Sequence, residues 1–187
     1  MNSATDIKKP KRVDPLPIKE VGRVLLAIMG GVLLVLLTVG LYRFYHLSPQ
    51  SLYNQAYVDY RLSEEGDYEL GATRVEQAYR AGNYDSVIRE SKKPQGLTDQ
   101  DFLLIGLAHM KEGDFSAAIE PLRLVNLWNE SDYKQEGEFY LALAYLRNKD
   151  YDKSLEMMQR IRREPDHVYY GKITDKLVRN VRILKWR

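Results

Sequence analysis

The sequence predicts an all-α protein: a short solenoid of helical hairpins, about three repeats plus a C-terminal capping helix, behind an N-terminal transmembrane helix. Three observations predict it. Nineteen uncharged residues, VLLAIMGGVLLVLLTVGLY, lie between Arg23 and Arg43. Downstream, apolar residues recur at helical spacing with no convincing strand alternation. One turn is also written three times, as AGNYDSVIRE, EGDFSAAIE and NKDYDKSLE.

Taken in order, residues 1–22 are polar, carry Pro10, Pro15 and Pro17, and read as a disordered cytoplasmic tail. Residues 23–45 read as the span. At about 1.5 Å per residue the uncharged run makes a helix of about 28 Å, close to the ~30 Å hydrocarbon core of a bilayer. A cleaved signal peptide has a shorter apolar region followed by small residues. Here LYRFYHL follows, and Tyr42, Phe44 and Tyr45 suit an interfacial aromatic belt. Gly30, and Ala27 four residues before Gly31, give the span a small-residue face of the kind that pairs helices into a homo-oligomer, although such residues are common in any membrane helix.

Charge sets the expected orientation. Lys8, Lys9, Lys11, Arg12, Lys19 and Arg23 precede the span, while only Arg43 and Arg61 follow it closely. The positive-inside rule puts the N-terminal side in the cytoplasm and residues 44–187 across the membrane. Residues 44–159 carry 12 basic and 20 acidic side chains, whereas residues 160–187 carry nine and three. An acidic body with a basic tail argues against nucleic acid as partner. The absence of cysteine excludes thiol chemistry and disulfides from the chain.

After the span, Ser48-Pro49 is an N-cap followed by proline at the first helical position. A helix is expected over SLYNQAYVDYRL, with Leu52, Ala56 and Tyr60 on one face. Residues 63–71 read as a loop. Thr98 with Asp101 forms a capping box, and Ser131 or Asp132 is placed to cap a later helix. Gly82 and Gly113 stand where a helix end needs positive φ. Asn83, Asp114 and Asp150 then start the next helix. In the third copy Asn148-Lys149 replaces glycine, and asparagine tolerates the left-handed conformation.

The aromatics Tyr84, Phe115 and Tyr151 are 31 and 36 residues apart. A helix–turn–helix repeating at about 34 residues has the tetratricopeptide period. In the middle copy Phe102, Ile105, Gly106, Ala118, Ile119 and Leu122 fall at the motif positions, with His109 where tyrosine is usual. The third copy supplies Leu141, Ala142, Tyr145, Ser154, Leu155, Met158 and Pro165. The first keeps Gly82-Asn83-Tyr84 and Val87-Ile88, with Arg74 and Val75 departing from the pattern. Over residues 71–166 the chain resembles the tetratricopeptide-repeat family, so residues 48–187 are expected to form a helical-repeat domain with a capping helix at 167–186.

The resemblance implies a partner-binding groove lined by the first helix of each hairpin. Its positions carry over to Tyr79 and Arg80 beside Glu76, to Leu103, Leu107, Met110 and Lys111, and to Phe139, Leu143, Leu146 and Arg147. Leu107 and Leu143 stand where family members that clamp a carboxylate use asparagine, so the groove suits an amphipathic helix or an extended apolar peptide. The helix at 48–62 or the C-terminal helix is an alternative occupant. On the C-terminal segment Tyr170, Ile173, Leu177, Val181 and Leu184 form an apolar stripe. Lys172, Lys176, Arg179, Arg182 and Lys185 form a basic one, read as a solvated face or as a contact for anionic lipid or an acidic partner.

The constellations of an enzyme are missing. His46, His109 and His167 stand alone, without metal-ligand spacing, and no phosphate-binding loop or nucleophile motif occurs. No cofactor or metal is expected. Asn129-Glu130-Ser131 is a lone glycosylation sequon. The expected function is that of a membrane-anchored protein–protein interaction scaffold, resembling bacterial inner-membrane tetratricopeptide proteins with an extracytoplasmic domain. The alternatives are a transmembrane signalling regulator whose tail recruits a partner, and an import-type receptor with reversed topology.

Overall fold

The computed structural model describes residues 18–62, 72–93, 96–128 and 130–187. Residues 1–17, the loop expected at 63–71 and Asn129 of the sequon lie outside the described residues. The chain divides into two units, Met1–His46 and Leu47–Arg187.

The first unit contains α1 (Ile18–His46). It begins at Ile18, ahead of the expected Arg23, because Ile18, Lys19 and Glu20 carry no helix breaker. It is long and apolar enough to span a membrane. Its large apolar side chains, Val24 and Leu26 through Leu41 among them, are exposed. Thr38, a hydroxyl within the apolar run, donates back to the Val35 carbonyl at 2.9 Å, which satisfies it within the helix.

Among the described residues of the second unit every regular element is helical. They are α2 (Pro49–Ala56), α3 (Arg74–Arg80), α4 (Tyr84–Glu90), α5 (Asp99–Lys111), α6 (Phe115–Leu127), α7 (Lys134–Arg147), α8 (Tyr151–Arg163), a single 3-10 turn at Tyr170–Lys172, and α9 (Asp175–Lys185). From α3 onward each helix packs on the next in sequence; α5 also touches α3 and α7, while α2 returns to pack on α7 and α9.

Three turns share one hydrogen-bond scheme. At the end of α3, Gly82 N–H donates to Tyr79 and Asn83 N–H to Ala78, both at 2.9 Å. Gly113 and Asp114 do the same to Met110 and His109, and Lys149 and Asp150 to Leu146 and Tyr145. The residue that closes each helix then opens its successor, since the side chains of Asn83, Asp114 and Asp150 accept from Ser86, Ala117 and Lys153 N–H. One acid or amide thus satisfies orphan groups of two helices and folds them back as a hairpin. In the third turn the left-handed residue is Lys149, with φ 63°, rather than Asn148, with φ −76°. The hydrogen bonds fix which position must turn, and asparagine stands one residue too early.

Close approach follows from small residues. A Cβ on Gly106 would lie 2.5 Å from Leu122 Cγ, and one on Gly137 would lie 2.9 Å from Val125 Cγ1. Gly106 therefore seats α5 on α6, and Gly137 seats α7 on α6. Leu103, Leu104, Leu122, Val125, Leu143 and Met158 are fully buried in the resulting core. Each such side chain contributes about 1.5–3 kcal/mol by leaving water.

Two expectations are corrected. The helix expected over residues 48–62 ends at Ala56, although its Ser48 cap and Pro49 start are as expected. Residues 57–62 continue without helix because Tyr57, Val58, Tyr60 and Leu62 all pack on the core, which one face of a helix could not achieve at that spacing. The helix expected over 167–186 is a turn, the 3-10 segment and then α9, capped by Thr174 accepting from Leu177 N–H at 3.2 Å. Ile173, Leu177, Val181 and Leu184 of the apolar stripe are buried, whereas Tyr170 lies on the 3-10 turn and is half-buried.

Candidate functional site

The groove positions meet on the face made by α5 and α7, and the chain itself covers that face. Leu103, Leu107, Met110, Phe139, Leu143 and Leu146 are at most 3% exposed. Tyr79 is also buried. Glu76, buried in the first turn of α3, accepts from Nε and Nη2 of Arg80 at 3.1 and 2.8 Å. Leu47, Tyr53, Tyr57, Val58, Tyr60 and Leu62 pack against this core.

The cover is built from aromatic rings. Tyr53 meets Phe115 edge-on at 5.3 Å between centroids, and Tyr57 and Tyr60 meet Tyr140 at 6.1 and 6.4 Å. Tyr169 stacks flat on Phe139 at 4.0 Å and meets Tyr140 at 6.0 Å. The Tyr140 hydroxyl donates to the Val58 carbonyl at 2.8 Å. Burial pushes the phenols of Tyr53, Tyr57, Tyr60, Tyr79 and Tyr140 above the ordinary tyrosine range, so they remain neutral donors.

Cations edge the cover. The Lys111 ammonium pairs with Asp59 and lies 5.6 Å from the Tyr57 ring centroid. That hydrogen bond holds the Asp59 carboxyl below its usual value. The Arg147 guanidinium lies over Phe115 at 4.4 Å and Tyr53 at 5.8 Å, a cation–π arrangement. Lys111 and Arg147 are two of the positions that the repeat resemblance assigned to the groove. Asp59 and the tyrosines of 53–60 are not among them, although a run of three tyrosines in eight residues is itself a sign of an amphipathic contact surface.

A second cluster lies beside α7. His167 and Glu138 are both 3% exposed, with Nε2 and Oε2 3.5 Å apart, and Arg160 Nη1 lies 3.5 Å from the other Glu138 oxygen. His167 Nδ1 accepts from Tyr169 N–H at 3.1 Å, which places the imidazole proton on Nε2, facing the carboxylate. Desolvation outweighs the attraction of Glu138 and holds His167 below the ordinary histidine value. An open cleft of about 400 Å³ adjoins it, lined by Asp132, Glu136, Glu138 and Glu164. The cap expected from Ser131 or Asp132 is not made: α7 follows Tyr133 without a side-chain cap, and Ser131 Oγ instead accepts from Tyr133 N–H at 3.1 Å and donates to Asp99.

Lys172, Lys176, Arg179, Arg182 and Lys185 are all exposed. Lys185 pairs with Asp152, while the other four form no salt bridge among the described residues. No family model, curated protein or solved structure matches the chain.

Proposed function

We propose that the chain is a membrane-anchored scaffold: α1 crosses the membrane, and the stacked hairpins form a tetratricopeptide-like solenoid that binds an extended apolar segment of another protein. In this reading the N-terminal side is cytoplasmic, the hairpins face the extracytoplasmic side of a bacterial inner membrane, and no reaction is catalysed. The observation that carries it is the seating of residues 57–62 on α5 and α7. An extended, tyrosine-rich stretch already occupies the face that the repeat pattern assigns to a partner, held by a main-chain acceptor and apolar rings. The chain's own segment thereby models the kind of ligand the face accepts, a peptide recognised by aromatic pockets and by its carbonyls.

Photo-crosslinking in intact cells tests this. A photoreactive residue replacing Arg80 or Lys111, at the rim of the face, is expected to capture a second protein. Capture should increase when Val58→Asp weakens the internal cover. Adducts confined to this chain at both positions, with and without Val58→Asp, contradict the proposal.

A further inference from the structure

The outward face of α9 carries a feature that the repeat pattern does not explain. Arg179 pairs with Arg182 and Ile183, and Trp186 with the same two, at three- and four-residue spacing, so the four share one side of the helix, opposite the buried Leu177, Val181 and Leu184. Lys176 flanks them. Trp186 is 83% exposed and Ile183 41%. The indole and the β-branched side chain form an exposed apolar pair flanked by Lys176, Arg179 and Arg182, which form no salt bridge among the described residues.

Their position supplies the reason. The Arg187 guanidinium donates to the Leu47 carbonyl at 3.1 Å. Leu47 is one peptide bond beyond His46, where α1 ends. It stands only four positions beyond Arg43, the first charge after the apolar run, a rise of about 6 Å in helical geometry. When α1 spans a bilayer, Leu47 therefore lies in or next to the headgroup zone, and the end of α9 bonded to it lies there too. Tryptophan and arginine are the side chains suited to that zone, the first for its amphipathic ring and the second for phosphate geometry.

We infer that the exposed face of α9 is a second membrane contact: Trp186 and Ile183 enter the interface, and Lys176, Arg179 and Arg182 bind anionic headgroups. This inference rests on α1 crossing the membrane and is independent of which protein the scaffold binds.

The test uses the full chain with Trp128→Phe, which leaves Trp186 as the single tryptophan. It is reconstituted in vesicles of bromine-labelled phosphatidylcholine, with or without phosphatidylglycerol. Trp186 emission is expected to be quenched by the bromine and protected from aqueous iodide when phosphatidylglycerol is present. Adding Arg179→Gln and Arg182→Gln, both exposed and outside the core, should lower the docked-to-undocked ratio roughly thirtyfold and restore the emission. Circular dichroism unchanged by these substitutions shows that the fold is intact. A chain retained after carbonate extraction whose Trp186 is quenched by iodide and not by bromine overturns the inference alone and leaves the face to a soluble partner. A chain released by carbonate overturns the span, and this inference with it.

Discussion

The Tyr140 hydroxyl hydrogen-bonds the Val58 carbonyl across 82 positions of sequence, at 2.8 Å. It closes the second unit on itself: a residue of α7 in the last hairpin holds the segment that leads out of α2. Replacing Tyr140 with Phe keeps the ring contacts and leaves the carbonyl without its donor. The expected cost is about 1 kcal/mol, seen as a fall of about 3 °C in the melting temperature of the detergent-solubilised chain. Tyr140→Ala, which also removes the rings' partner, should cost about 3–5 kcal/mol.

Gly106 and Leu122 set the spacing of α5 and α6. With Leu122 Cγ only 2.5 Å from where a Cβ would stand, Gly106→Ala forces a shift. The expected destabilisation is about 1–3 kcal/mol despite the better helix propensity of alanine. Combining it with Leu122→Val should cost less than the two single changes added together, because the smaller side chain clears the new methyl. Strict additivity in thermal or denaturant unfolding contradicts the contact.

The turns make a prediction of opposite signs. Gly113 and Lys149 occupy equivalent places at positive φ, 80° and 63°. Gly113→Ala should destabilise by roughly 1–2 kcal/mol, whereas Lys149→Gly should be neutral or stabilising by a few tenths, since it relieves the left-handed cost while loosening the unfolded chain. Denaturant midpoints of the two variants decide it.

His167 gives the second unit a pH dependence. Burial lowers its folded value, so in the acid range the unfolded chain binds the proton more readily than the folded one. Stability is unaffected above the unfolded value of about 6.5 and falls as pH drops below it, until the folded imidazole itself titrates. Melting temperature measured from about pH 7 down to pH 5 should decline in the parent chain and decline less in His167→Asn. An equal slope in both would mean that another group carries the dependence.

The hairpin turns were legible in the sequence because each is specified locally, by a residue for the left-handed position and a capping acid or amide next to it. The third turn shows the limit: Asn148 is the more apt residue, yet the 6→1 bond from Asp150 to Tyr145 places Lys149 at positive φ. The apolar run of α1 was legible because length and composition alone decide whether it can cross a membrane. The fate of residues 57–62 was not legible. Leu52, Ala56 and Tyr60 carry a helical i, i+4 pattern into the segment, and only the tertiary contacts with Tyr140 and Lys111 reward leaving the helix. Leu103, Leu107, Met110, Phe139, Leu143 and Leu146 are buried in the core, and apolar lining positions look alike in a sequence whether a partner or the chain's own segment covers them. Gly137 was missed because a glycine inside KQEGEFY has no local signature; its reason is Val125 on the neighbouring helix.

The central claim is a scaffold held across the membrane with its hairpins on the far side from the N-terminal basic cluster, and topology tests it most directly. The chain has no native thiol, so single cysteines can be placed at Ser3 and at Ser116, the latter exposed at the start of α6. Intact cells are then treated with a membrane-impermeant maleimide. Labelling at 116 with none at 3 until the cells are lysed is the predicted result. Labelling at 3 with 116 protected would reverse the orientation and contradict the extracytoplasmic scaffold.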